Sequence, residues 1–195
     1  TSASSGSVSD EDVNISNLTA RLPQITENVT IGDATDVTVT IAGDLAVTGG
    51  VNTPNFCAYA DDTQNIDHGV ATKVTLGGEE IDSDGKFASS RFTPTVSGTY
   101  FICATLGVYA AECDRAECHI YMNGSSVAKS SVGGSGSAQL DNFAVHNSCV
   151  LTLDTDDYIE LYVYAETTDS STISIHWTPS SATRLRTSLM GFKLL

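Results

Sequence analysis

Four histidines, five cysteines and a group of aspartates are the residues of this chain whose chemistry could go beyond packing. His68, His119, His146 and His176 are scattered, and no HExxH, C-x-x-C or Gly-x-Ser-x-Gly pattern surrounds them. That leaves no signature of a zinc hydrolase, a redox dithiol or a strained serine nucleophile. Cys113, Cys118 and His119 are zinc-capable and close in sequence, but their spacing fits no common zinc site and a fourth ligand is missing. The same two cysteines, in AECDRAEC, could instead close a small polar loop as a disulfide, which would be a local tie and not a scaffold. Cys103 and Cys149 sit in the apolar runs FICATL and CVLTL and read as small buried hydrophobes. Asp154, Asp156 and Asp157 offer the clustered oxygens that calcium prefers. No glutamate closes a twelve-residue loop after them, so solvated turn residues are the other reading. The site residues thus support no catalysis, no cofactor and no metal beyond that calcium candidate.

Charge narrows the partners. With 24 acidic and 9 basic residues the formal net charge is −15, which repels phosphate backbones and anionic membrane surfaces alike. Nucleic acid is therefore not an expected partner. No apolar run approaches the roughly 20 residues that span a bilayer, so no membrane insertion is expected. The opening TSASSGSVSDEDV lacks the basic start and apolar core of a secretory signal. Asn-x-Ser/Thr sequons at Asn14, Asn17, Asn28 and Asn123 would matter only on a eukaryotic secretory route.

The elements that must carry any site divide the chain unevenly. Every aromatic residue and every cysteine lies at or beyond Phe56, so only the later part can build a bulky core. The breakers GGVNTP at 49–54 mark the joint. Three parts result: an anchoring tip or clamp at 1–25, a β-repeat stem at 26–53, and a head at 54–195. In the stem, Val29, Ile31, Val37, Val39, Ile41, Leu45, Val47 and Val51 hold odd positions, and Gly32-Asp33 and Gly43-Asp44 punctuate the run eleven residues apart. So few aliphatic side chains cannot offset the entropy of ordering the segment. The strands must bury against copies of themselves or a partner, and a narrow three-fold axis suits valines and isoleucines on one edge.

The head reads as short strands bounded by turn residues, expected at 56–60, 73–77, 85–94, 98–110, 118–130, 141–153, 157–166, 171–179 and 188–195. That number of strands in such a length marks an all-β antiparallel sandwich or jelly roll. Asn123-Gly124 is the strongest hairpin signal. Loops 61–72, 111–117, 131–140 and 167–170 are expected to carry recognition, as loops on rigid scaffolds often do.

Five motifs then occur in order: PNFCAYA at 54–60, FTPTVSGTYFI at 92–102, HIYMNG at 119–124, CVLTLDTDDYIELYV at 149–163 and MGFKLL at 190–195. Together they resemble the globular head of complement component 1 subcomponent q, which shares a jelly roll with the tumour-necrosis-factor family. Phe92, Pro94, Gly98, Tyr100, Phe101, Gly191 and Phe192 are the positions that match its core motif. The proline sits one step early, and Asp156 stands where a glycine is usual in the late turn. The resemblance implies a homotrimer whose strand faces meet on a three-fold axis, the symmetry the stem requires on its own account. The stem is similar to segments of bacteriophage fibres, and no collagen-like Gly-x-y repeat replaces it. The expectation is a non-enzymatic protein of a bacteriophage virion surface: a short homotrimeric fibre or capsid decoration. Residues 1–25 would hold a capsid or tail protein, and the head would attach to a host-surface glycan or protein. A secreted cytokine-like or lectin-like trimeric ligand is the alternative, and it calls for a bridged Cys113–Cys118.

Overall fold

The computed structural model describes residues 54–109, 113–134, 140, 142–175 and 187–194. The tip at 1–25 and the stem positions Val29, Ile31, Val37, Val39, Ile41, Leu45 and Val47 lie outside them, as does His176. The described residues form strands and no helix: β1 Asn55–Tyr59, β2 Gln64–Ile66, β3 Thr72–Lys73, β4 Gly78–Asp82, β5 Phe87–Ala88, β6 Arg91–Phe92, β7 Gly98–Tyr109, β8 Cys113–Met122, β9 Ser125–Gly133, β10 Phe143–Leu153, β11 Ile159–Thr167, β12 Ile173–Ile175 and β13 Ser188–Lys193. Seven of them make one sheet in the order β2-β12-β7-β13-β1-β4, with β10 on the far edge of β7. Six make the other, β5-β6-β11-β8-β9, with β3 also on β11. Every pairing is antiparallel.

Period-2 alternation explains the layering. On β7, Tyr100, Ile102, Ala104, Leu106 and Val108 are fully buried, and on β11 Ile159, Leu161 and Val163 meet them from the second sheet. One end of the core is aromatic: Phe56 stacks on Phe92 at 4.1 Å between centroids, with Phe87 at 5.6 Å and Tyr100 tilted against Phe92. Tyr100 lies in this interior with its hydroxyl donating to the Val96 carbonyl at 2.6 Å. Burial, then the nearby Asp84 charge, pushes its pKa up to about 12. Gly191 is required by crowding. A Cβ there would stand 2.7 Å from Ile102 Cδ1 and 2.9 Å from both the Phe101 carbonyl and the Phe56 ring.

Two tight turns share one backbone solution. Asn123 and Gly124 have φ of 53° and 78°, the type I′ turn that suits the twist of the β8–β9 hairpin. Ser89 and Ser90, at 54° and 56°, do the same between β5 and β6 without a glycine. Ser90 is held there because its buried Oγ accepts the Leu76 N–H at 2.9 Å. The single strand expected at 85–94 is therefore a miniature hairpin. Two other expectations shift. Of 73–77 only Lys73 is in a strand, since Val74 and Leu76 bury their side chains while the Leu76 N–H goes to that serine. On its edge away from β13, β1 pairs with β4, GEEID, whose exposed carboxylates hide it from an apolar-period reading. Within 111–117, expected as a loop, residues 113–117 belong to β8.

Candidate functional site

The side chains of opposite parity to the core form two outward faces, and cross-strand register fixes their rows. On the seven-stranded sheet, Phe192, Phe101 and Val150 make one row across β13, β7 and β10. Ile81, Cys57, Met190, Cys103 and Ser148 make the next, and Tyr59, Ser188, Thr105 and His146 a third. No Asp, Glu, Lys or Arg stands in these rows. Ile81 and Val150 are more than half exposed, at 51% and 57%. Phe101 and Phe192 lean on one another at 5.6 Å. Thr105 Oγ1 and His146 Nδ1 lie 3.0 Å apart at the rim.

The face of the six-stranded sheet has opposite chemistry. Glu160 is buried and takes Lys73 Nζ at 2.6 Å and the Arg91 guanidinium at 2.9 Å on one oxygen. Arg91 lies over the Tyr158 ring, 3.7 Å from its centroid. Further along, Glu117 is bonded by His119 Nε2 at 2.9 Å and Lys129 Nζ at 3.4 Å. Burial pushes the Glu117 carboxyl up, but those hydrogen bonds and the Lys129 and Arg115 charges outweigh it, and its pKa lies below the ordinary value. Arg115 bonds Glu166 at 2.9 Å beside the Tyr164 ring, and Tyr121 stacks on Tyr162 at 4.0 Å.

The remaining candidates fall as follows. Phe92 and Pro94 are buried, as are Tyr100 and Gly191, and the Gly98 Cα faces the Lys193 side chain. Phe101 and Phe192 belong to the outward apolar row instead. Cys113 and Cys118 are unbridged and lie five residues apart along the same extended strand, a separation of about 16 Å that no disulfide spans. The local bridge is thus corrected: no loop exists for it to close. Cys118 is fully buried, and burial, then Cys103, pushes its thiol up to about 12. The calcium candidate is corrected too. Asp157 spends Oδ2 on the Asp154 N–H at 2.7 Å and Oδ1 on Asn123 Nδ2 at 2.6 Å, locking the late turn to the hairpin turn. Among the described residues no three of His, Cys, Asp and Glu converge as a metal group. Both outward faces escape sequence reasoning, because register alone assembles them.

No protein-family model matches the chain, and no curated protein is similar to it in sequence. Solved structures do match in shape. The globular domain of zebrafish complement 1qA protein superposes with a TM-score of 0.52 at 15% identity, over 73% of this chain and 98% of that one. Murine APRIL at pH 5.0 gives 0.52 at 11% identity, over 72% and 98%. Eiger TNF from S. frugiperda gives 0.51 at 10%, over 72% and 90%. The described residues therefore have the antiparallel jelly-roll fold shared by complement-type heads and tumour-necrosis-factor-like proteins.

Proposed function

We propose that the head is a non-enzymatic recognition module that assembles as a homotrimer through the outward face of the seven-stranded sheet. The observation that carries this is the uncharged apolar set Phe101, Phe192, Val150, Ile81 and Met190, standing on a chain of net charge −15. A contiguous exposed apolar surface on an otherwise acidic protein marks an association site. In the whole chain, residues 26–53 form a trimeric stem and residues 1–25 hold a capsid or tail protein. The protein then acts as a short fibre or capsid decoration on a bacteriophage virion, displaying the head to a host-surface glycan or protein. The Val/Ile rungs with Gly-Asp turns support that placement. The jelly roll fits a secreted cytokine-like ligand equally well, but the Cys113–Cys118 bridge that this alternative calls for is not formed.

Light scattering of residues 54–195, without the stem that would hold a trimer by itself, tests the assembly, beside Val150→Asp and Met190→Asp. Three chain masses are expected for the parent and one for the variants. A monomeric parent, or trimeric variants, would overturn this face as the interface.

A further inference from the structure

The six-stranded sheet carries a second surface with a chemistry of its own. Of the six lysines and arginines among the described residues, four lie on this face: Lys73, Arg91, Arg115 and Lys129. The carboxylates of Glu160 and Glu117 are layered beneath them, while Glu166, which pairs with Arg115, is 35% exposed. The side chains of Glu160 and Glu117 are 3% and 9% exposed, whereas those of Arg91, Arg115 and Lys129 are 42%, 45% and 53% exposed. What solvent meets is therefore mostly cationic N–H groups set among Tyr121, Tyr158, Tyr162 and Tyr164, with the Glu166 carboxylate beside Arg115. A guanidinium has five N–H donors, more than the acceptors named for Arg91 and Arg115 take up. Both are oriented by carboxylates and ring faces, so a ligand finds them pre-positioned and costs them little entropy.

We propose that this face binds an anionic saccharide, with the Arg115–Lys129 end receiving its carboxylate or sulfate and tyrosine and serine hydroxyls receiving its hydroxyl groups. Charge complementarity selects the anion. The net charge of −15 does not forbid it, because acids beyond about 8 Å are screened at physiological ionic strength and the local layer sets the field. Among the described residues the only large exposed aliphatic side chain on this sheet's β9 is Val127, alone beside Lys129, which offers a protein little apolar anchor and favours a sugar. A protein partner ordinarily buries a desolvated apolar or aromatic centre, and here the ring faces of Tyr121 and Tyr162 are turned on each other while Arg91 and Arg115 lie against Tyr158 and Tyr164. The inference rests on the reading of the head as a recognition module, and it moves recognition from the loops to a sheet face.

The test is calorimetric titration of the full chain with sialyllactose, a sulfated heparin oligosaccharide, neutral lactose and oligo-glutamate. Binding of sialyllactose or the sulfated sugar, weakening with salt and absent for lactose, is expected. Binding of sialyllactose would show that a carboxylate is enough, and binding of the heparin oligosaccharide alone that its sulfates are needed. Arg115→Gln with Lys129→Gln should weaken binding about tenfold or more, with unchanged solution mass and with melting lowered but still well above the temperature of the titration. Tyr164→Phe, which keeps the ring under Arg115, checks that the fold tolerates the site being altered. Binding by neither sugar, equal binding by the double variant, or tighter binding of oligo-glutamate would each overturn the proposal. The parallel mass measurement reports on the trimer by itself, so failure of one reading is separable from failure of the other.

Discussion

The two outward faces are pleated surfaces of one jelly roll, yet they satisfy themselves in different ways. On the six-stranded sheet each buried carboxylate among the described residues meets a cation: Glu160 meets Lys73 and Arg91, and Glu117 meets Lys129 and Arg115. On the seven-stranded sheet, Phe101, Phe192, Val150, Ile81 and Met190 stand in rows without a charged side chain, and Val150 and Ile81 are more than half exposed. The lesson concerns where a substitution is felt. A face closed by buried charges transmits damage into the fold, whereas a face of half-exposed apolar groups transmits it into association.

That contrast can be broken at several points, in descending order of effect. Replacing Lys73 and Arg91 together by Met strands the Glu160 carboxylate, and should cost about 3–5 kcal/mol of folding stability in urea denaturation. Adding Glu160→Leu should return most of it, and an unchanged midpoint in the double variant would show that the lattice is ornamental. Next comes pH. Because the folded-state pKa of Glu117 is lowered from its ordinary 4.5, the stability it contributes is complete above that value and fades as pH falls below it. Urea midpoints taken from pH 6 to pH 3 should therefore fall less for Glu117→Gln than for the parent, after allowing for the lower starting value. A smaller effect is expected at Lys129, half exposed and one of several groups on Glu117: Lys129→Ala should shift stability by less than about 1 kcal/mol. On the other face, Val150→Asp should leave the unfolding of the isolated monomer within about 0.5 kcal/mol of the parent. A larger loss would mean that Val150 belongs to the core, and would remove the distinction between the faces.

Much of the fold was legible because turn chemistry is local. Asn123-Gly124, the aspartates at 154–157 and the long alternating runs of β7, β10 and β11 each announce themselves within a few residues. What was hidden depends on distant partners. β8 begins in the polar string CDRAEC because its cysteines and Ala116 point inward while Arg115 and Glu117 find mates on β9 and β11. A bulge opposite Glu166 and Thr167 also breaks the alternation there. β4 is strand only because β1 offers it an edge. The cationic layer is the extreme case: Lys73, Arg91, Arg115 and Lys129 come from four strands, and nothing in their spacing along the chain shows that they gather.

The position of β13 has a temporal consequence. It lies between β1 and β7, so Cys57 pairs with Met190 and Phe101 with Phe192 across long stretches of chain. Such non-local closure gives high contact order and slow folding. During synthesis, β1 and β7 emerge with facing edges unpaired and wait for the strand that joins them. Until it arrives, the aromatic core around Phe56 and Gly191 cannot close, and a ribosome-bound intermediate keeps two apolar strand edges open to chaperones or to neighbouring nascent chains.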